Sequence, residues 1–356
     1  MTTLTTEPAR GASAAPGTEP GGWHAIHVYY GAVRHPMIAD CVKPLIDDLR
    51  GDGLLAGYFF INYWVEGPHL RLRLKPVTAA ATEEVLGRAR AAIAGFLRVR
   101  PALYEAKSGV FAAFYNSQFD LEFSQEERAR YLGPDGKMLI RDNNTFSSEP
   151  YEPEYDKYGG EAGVALAEWH FEQSSDLVVD IVRSMNVHLR ATLLGISAQL
   201  MMVMASTFLP EVDATTVFLQ TYHEFWNGAY TSTAITSAED YDRAYQAMSV
   251  GVLERFSTIR TALTHGSADR LPGLLRRWAE HCTELRARVA ELAESGQLVF
   301  QAWDGSGEER TTDLARAVQH LLLPYMHMTN NRLGMTLTDE AYLAYTLARA
   351  LREAES

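Results

Sequence analysis

The chain has 356 residues, of which 47% are hydrophobic and 22% charged, as is typical of a globular protein with one large or two modest domains. The formal net charge of −13 repels nucleic acid over most of the surface, so we expect no direct binding of DNA or RNA. Cys41 and Cys282 match neither a disulfide framework nor a metal-ligand spacing, which predicts a cytoplasmic protein without a structural zinc site.

The N-terminal residues 1–21 are rich in Ala, Thr, Gly and Pro and lack the apolar block of a secretion signal, which predicts a disordered tail. The longest apolar run, residues 193–204, is shorter than the ~20 residues that span a bilayer and suits a buried core helix. We therefore expect a soluble protein with no membrane contact. Residues 22–356 are predicted to form a single domain, because the final helices can return to the first half.

The first half of the chain alternates between strand and helix patterns. Residues 23–30 favour a strand, 37–50 a helix, 58–65 and 69–75 a hairpin, and 82–97 a second helix. This order is typical of a ferredoxin-like split βαβ unit, with further strands expected between residues 109 and 140. Residues 141–158 are polar and predict a loop.

The second half has the periodicity of helices almost throughout. The predicted helices are residues 162–171, 175–208, 214–226, 240–263, 271–295, 312–326 and 338–353. The sequence thus predicts an α+β domain, with a sheet-rich half at residues 22–158 and a helical half at residues 159–356.

The most informative segment is the predicted strand at residues 69–75. Alternation places Leu70, Leu72 and Leu74 on one face, and the other face then carries His69, Arg71, Arg73 and Lys75. Guanidinium groups in a row suit the binding of a carboxylate or phosphate through parallel hydrogen bonds. A charged, solvated sheet face is the alternative interpretation.

Two further segments carry candidate site residues. His327 is a natural acid or base near neutral pH and lies four residues from Asn331, beside Arg332; the alternative is a structural histidine at a helix end. The loop at residues 151–160 contains Glu154, Lys157 and a Gly-Gly pair, and these charges can orient the arginines or a substrate. No spacing favours a metal site, and we expect no metal and no cofactor.

Together these segments resemble the C-terminal elimination domain of lanthipeptide dehydratases and the related stand-alone proteins of thiopeptide biosynthesis. The matching residues are Phe60 to Trp64 before Gly67 to Arg73, Tyr151 to Glu154 up to Tyr158-Gly159-Gly160, and His327-Met328 with Asn331 to Leu333. The resemblance covers nearly the whole chain after the tail.

The resemblance implies a glutamate lyase, which eliminates glutamate from glutamylated Ser or Thr of a precursor peptide and leaves dehydroalanine or dehydrobutyrine. It places Arg71, Arg73, Glu154 and His327 as catalytic, and it implies a separate glutamylating subunit that uses glutamyl-tRNA. We expect His69, Lys157, Asn331 and Arg332 to bind the substrate, and we expect the precursor peptide, with its leader and core, as a partner of the protein. Lys157 departs from the family pattern, which has arginine there, and a lysine makes no bidentate fork.

The same resemblance leaves two alternatives open. One branch of the family closes two dehydroalanines into a pyridine ring by a formal [4+2] cycloaddition, followed by loss of water and the leader peptide. Correct positioning of the two dehydroalanines would account for most of the rate of that reaction. The other alternative is a non-catalytic subunit that captures the leader peptide, for instance by adding a strand to a sheet edge. The oligomeric state also stays open, with a homodimer as one form.

Overall fold

The computed structural model describes residues 19–103, 119, 128–133, 135–229, 238–301 and 307–354. Most of the predicted tail lies outside these ranges. Within its described end, Pro20 pairs with Thr78 in an isolated bridge beside the sheet.

A four-stranded antiparallel sheet forms the N-terminal part of the domain. Its strands are β1 (His24–Tyr29), β2 (Leu55–Tyr63), β3 (His69–Pro76) and β4 (Thr145–Glu149), in the order β2-β3-β1-β4. The predicted hairpin is β2–β3, whose turn places Glu66 and Gly67 at positive φ. The α+β class is confirmed by this sheet and the helices that follow.

The fourth strand lies where the sequence predicted a loop. The expected window at residues 109–140 is largely outside the described residues, and β4 begins five residues after it. The reason is composition: β4 reads Thr-Phe-Ser-Ser-Glu, so one apolar side chain in five residues gives no alternation signal. β4 pairs only with β1, at the edge of the sheet.

One face of the sheet is covered by helices α1 (Lys43–Gly51) and α2 (Thr82–Val99). α1 continues a short turn at His35–Met37 and a π-helical segment at Ile38–Val42. Leu70, Leu72 and Leu74 are fully buried on this side, as predicted from their alternation. The opposite face of β3 is therefore free to carry its charged side chains.

The C-terminal half is mostly helical, as predicted, but the single helix predicted over residues 175–208 is wrong: an extended backbone at Met185 (φ −123°, ψ 155°) begins a break at residues 185–189. The helices are α3 (Tyr155–Tyr158), α4 (Gly160–Ser184), α5 (Arg190–Phe208), α6 (Val212–Ala229), α7 (Ala238–Thr264), α8 (Gly273–Glu294), α9 (Leu314–Leu333) and α10 (Leu337–Ala354). A small hairpin of β5 (Leu298–Gln301) and β6 (Glu308–Thr311), absent from the prediction, lies between α8 and α9.

Two helix boundaries matter for the site. α4 runs through the predicted break at residues 172–174, and the hydroxyls of the buried Ser174 and Ser175 are satisfied there by carbonyls one turn earlier. α9 continues through Pro324 to Leu333, so His327 lies inside a helix and not at its end. Gly334 closes α9 in the left-handed conformation.

Most buried apolar side chains of the described residues form one core that joins the sheet to the helical half, and a second, small cluster consists of Val65, Phe119, Met138 and Ile140. Helix α5 is long and apolar enough to cross a membrane by length and composition, and 61% of its apolar window is buried inside the protein. This degree of burial is typical of a core helix, as the sequence predicted for residues 193–204.

Candidate functional site

A cavity of about 490 Å³ lies between the charged face of the sheet and the helices α4 and α9. It brings together segments that are far apart in the chain. The predicted site residues that line it are Arg71, Arg73, Glu154, Lys157, His327 and Asn331. His69 and Arg332 are not among the described residues that line it.

Arg71 is held by two neighbours on the sheet. His69 donates from Nδ1 to the carbonyl of Gly67 (2.9 Å) and accepts from Arg71 Nε at its Nε2 (3.1 Å). The guanidinium of Arg71 lies over the ring of Tyr63, 3.5 Å from its centre. Burial lowers the pKa of His69 to about 3, so this ring is a neutral acceptor that fixes the direction of Arg71.

Arg73 is held in the same way by a histidine that the sequence reasoning missed. His27 of β1 accepts at Nε2 from Arg73 Nη1 (3.1 Å), and its ring stacks on His69 at 5.0 Å. Burial and the nearby arginines lower the pKa of His27 to about 2. Arg73 is 5% exposed, and burial lowers its pKa to about 10.

No carboxylate of the described residues pairs with either Arg71 or Arg73. Within the described ranges, their polar side-chain partners are the two neutral histidines. A buried guanidinium without a counter-charge costs free energy, which is compensated when an anionic or strongly polar oxygen binds. The two groups are therefore placed to donate hydrogen bonds to a substrate in the cavity.

The loop before α4 supplies the rim of the cavity. Lys157 Nζ lies 3.4 Å from Glu154 Oε1, and both side chains are well exposed. Gly159 has φ +85°, and a Cβ at this position would lie 2.8 Å from the ring of Phe300. The glycine flagged in the sequence is therefore required to bring the loop back onto the β5 strand.

His327 projects from α9 into the cavity and is held by a residue that the sequence reasoning also missed. Its Nδ1 donates to the carboxylate of Glu340 on α10, at 3.0 Å from Oε1 and 3.3 Å from Oε2. Trp226 packs against the imidazole, with ring centres 4.7 Å apart. Nε2 is then the nitrogen that is able to accept a proton.

The residues that follow His327 fasten α9 to its neighbours. Asn331 exchanges hydrogen bonds with the backbone of Asn62 on β2, accepting at 2.9 Å and donating at 2.8 Å. Arg332 is fully buried and donates to Met328 O (2.6 Å) and Ser175 Oγ (3.2 Å). In this geometry Arg332 supports the core, and Asn331 lines the cavity with its amide already engaged.

Of the two residues that the sequence reasoning missed, His27 could have been found from the sequence and Glu340 could not. His27 lies on the predicted first strand, and its position opposite Arg71 follows once β1 is paired with β3. Glu340 gave no signal, because its proximity to His327 depends on the packing of α10 against α9. Within the described residues no cluster of three His, Cys, Asp or Glu side chains is arranged to hold a metal ion.

Fixed charges of both signs line the cavity. The cations are Arg71, Arg73 and Lys157, and the carboxylates are Glu66, Glu149, Glu152, Glu154 and Glu168. Glu66 is paired with Arg141 at 2.9 Å and Glu154 with Lys157 at 3.4 Å, so these charges are balanced locally. The site thus combines two directed guanidiniums and a histidine with carboxylates that are partly paired with cations.

Comparison with known proteins agrees with this architecture. The family model of the lantibiotic biosynthesis dehydratase C-terminal region matches residues 23–351. The pyridine synthase TbtD from thiomuracin biosynthesis superposes with a TM-score of 0.71 at 21% identity, covering 93% of this chain and 98% of TbtD. TsrL superposes with a TM-score of 0.65 at 18% identity, covering 94% of this chain and 95% of TsrL.

A third solved structure is the tRNA-dependent lantibiotic dehydratase MibB from Microbispora sp. 107891. It superposes with a TM-score of 0.52 at 17% identity, covering 98% of this chain but 29% of MibB. At these identities the likeness shows a shared fold, and no curated protein sequence matches the chain. Because the family model spans nearly all of the domain, the chain belongs to the lantibiotic biosynthesis dehydratase C-terminal family, which acts on precursor peptides in the maturation of ribosomally made natural products.

Proposed function

We propose that this protein is a pyridine synthase, which closes two dehydroalanines of a modified precursor peptide into a six-membered ring. The reaction is a formal [4+2] cycloaddition followed by loss of water and the leader peptide. The proposal is supported by the near-complete mutual coverage with the pyridine synthase TbtD, whereas the chain spans 29% of the dehydratase MibB.

The pairing of Lys157 on the rim of the cavity is the observation that carries this proposal. A departing glutamate is an anion, and its capture is favoured by a cation that can form a bidentate fork. Lys157, at the position where the family has arginine, is paired with Glu154 on the rim and makes no fork. Dehydroalanine residues are neutral, so their binding does not require such a fork.

The directed donors suit the ring-forming reaction. One dehydroalanine reacts as a diene only when the preceding amide shifts its proton from nitrogen to oxygen. Hydrogen bonds from Arg71 and Arg73 to that oxygen favour the shift. His327 is placed to accept and return the proton at Nε2, and the cavity walls hold the two reacting double bonds together.

Glutamate elimination is the second candidate, because Arg71, Arg73, Glu154 and His327 converge on the same cavity. These are the positions that the resemblance assigns to elimination. In that case Arg73 and Arg71 would stabilise the enolate and the departing glutamate, and His327 would take the Cα proton. A separate glutamylating subunit would then supply the substrate from glutamyl-tRNA.

Two synthetic substrates distinguish the candidates. The purified protein is incubated with a leader-bearing peptide that contains two dehydroalanines, and separately with a glutamylated peptide, and both are followed by mass spectrometry. We expect the first to lose water and release its leader, and the second to keep its glutamyl group. Loss of glutamic acid from the second with no reaction of the first would refute the pyridine synthase proposal, and inertness of both would favour a leader-binding subunit.

A further inference from the structure

The carboxylate of Glu340 is fully buried and lies outside the cavity that His327 lines. It accepts hydrogen bonds from His327 Nδ1, from the Tyr222 hydroxyl and from Asn330 Nδ2 at 3.3 Å. Among the described residues His327 is the only basic side chain within ion-pair distance of it. A buried carboxylate in such surroundings is stabilised when its neighbour carries a positive charge.

The partners of Glu340 are themselves fixed. Burial raises the pKa of Tyr222 well above its ordinary range, so this hydroxyl stays protonated and donates. Asn330 is oriented by Ser197, whose hydroxyl donates to Asn330 Oδ1 at 2.7 Å. Two helices, α6 and α9, therefore contribute three donors that hold the carboxylate of α10 in place.

We infer that Glu340 is a positioning residue for His327: it keeps the Nδ1 proton in place, leaves Nε2 free as the acid–base atom, and stabilises the imidazolium when Nε2 takes a proton. The role in catalysis rests on the proposed function. The tautomer and the ion pair are properties of the protein without substrate. They can therefore be tested even if that function is wrong.

Removing the charge of Glu340 changes the pH dependence in one direction, whether His327 acts as an acid or as a base. Without the carboxylate the protonated ring is less favoured, so every pH limb set by His327 moves to lower pH. An opposite charge at this distance typically corresponds to about one to three pH units. The other titratable or charged groups among the described residues near the ring and its cavity stay in place: they are His27, Tyr63, Glu66, Arg71, Arg73, Tyr131, Glu149, Tyr151, Glu152, Glu154, Lys157, Tyr158, Glu168 and Tyr222.

The test compares wild type, Glu340→Gln and Glu340→Asp by ¹⁵N NMR of labelled histidines, with His327→Gln to assign the signal. We expect the neutral ring of His327 to carry its proton on Nδ1 in wild type. Its titration midpoint should fall by one to three pH units in Glu340→Gln and stay near wild type in Glu340→Asp. A proton on Nε2 in wild type overturns the inference, even if neither variant folds, as does an unchanged midpoint in Glu340→Gln.

Asp339 provides the matched control. It is also a buried carboxylate on α10, but it accepts from Thr336 N at 3.0 Å and pairs with Arg190. Asp339→Asn should change stability and leave the His327 titration in place. In the ring-forming assay the pH profile of Glu340→Gln should move with its NMR midpoint. If the midpoint moves while no variant forms a ring, the proposed function fails and the positioning role stands.

Discussion

Replacement of Arg73 by methionine is expected to make the protein more stable and less active. Arg73 is buried against the sheet, has no carboxylate partner among the described residues, and lies beside the like charge of Arg71. Methionine keeps much of the side-chain volume without the charge. Natural proteins keep such a group at a cost in stability when function requires it.

The magnitude follows from the pKa of Arg73, which burial lowers to about 10. Against an ordinary value of about 12.5, this corresponds to about 3 kcal/mol that disfavours the buried cation. Arg73→Met loses about 1 kcal/mol from the hydrogen bond to His27 and up to about 1 kcal/mol from the contact over Tyr151. The net expectation is a gain of about 1 to 2 kcal/mol in the free energy of unfolding.

Urea denaturation gives the free energy of unfolding, and ring formation from the two-dehydroalanine peptide gives the activity. Arg73→Lys is the matched variant, because it keeps a buried charge and loses the planar fork. We expect it to be no more stable than wild type and to lose activity as well. If Arg73→Met lowers the free energy of unfolding by about 1 kcal/mol or more, the guanidinium holds the fold together and the reasoning is refuted.

The remaining predictions concern burial and backbone geometry. The unfolded state binds a proton at His69 below about pH 6.5, while the folded state does so only near pH 3, so the free energy of unfolding decreases as the pH is lowered from about 6.5 to 3. Denaturation of His69→Phe at several pH values should show a shallower decrease, and an equally steep one would contradict the prediction. The same variant leaves Arg71 Nε without its acceptor and should lower activity about tenfold or more in the ring-forming assay. Gly159→Ala should lower the free energy of unfolding by about 2 to 4 kcal/mol, whereas Gly266→Ala, at φ +62° with open space around it, should lower it by about 1 kcal/mol in thermal or urea unfolding. Equal decreases would show that the contact with β5 is not the cause. Burial raises the pKa of the Cys41 thiol to about 12, so iodoacetamide should modify neither cysteine until urea unfolds the chain, as read by intact mass, and rapid labelling of the native protein would contradict this burial.

Much of the secondary structure followed from local pattern. Strands β2 and β3, helix α2 and the helices after α5 were predicted because their apolar residues recur at the spacing of a strand or a helix, whereas α5 was predicted as one helix with the end of α4. The prediction failed where composition carried no period, as in β4, and where helices ran through residues that often end them, as in α4 at Ser174 and α9 at Pro324. In these places packing of the surrounding elements decided the conformation.

The sequence by itself determined that Arg71 and Arg73 share a face of one strand, because side-chain alternation is a local property of an extended chain. It also determined the family, through motifs that recur in order along the chain. The tertiary structure decided that His69 and Arg73 of this face are buried, whereas Arg71 and Lys75 are half-buried. It placed His27 across the sheet from the arginines and Glu340 behind His327, and it put Arg332 into the core. These contacts join residues that are far apart in sequence, so they depend on strand register and helix packing, which no local period encodes.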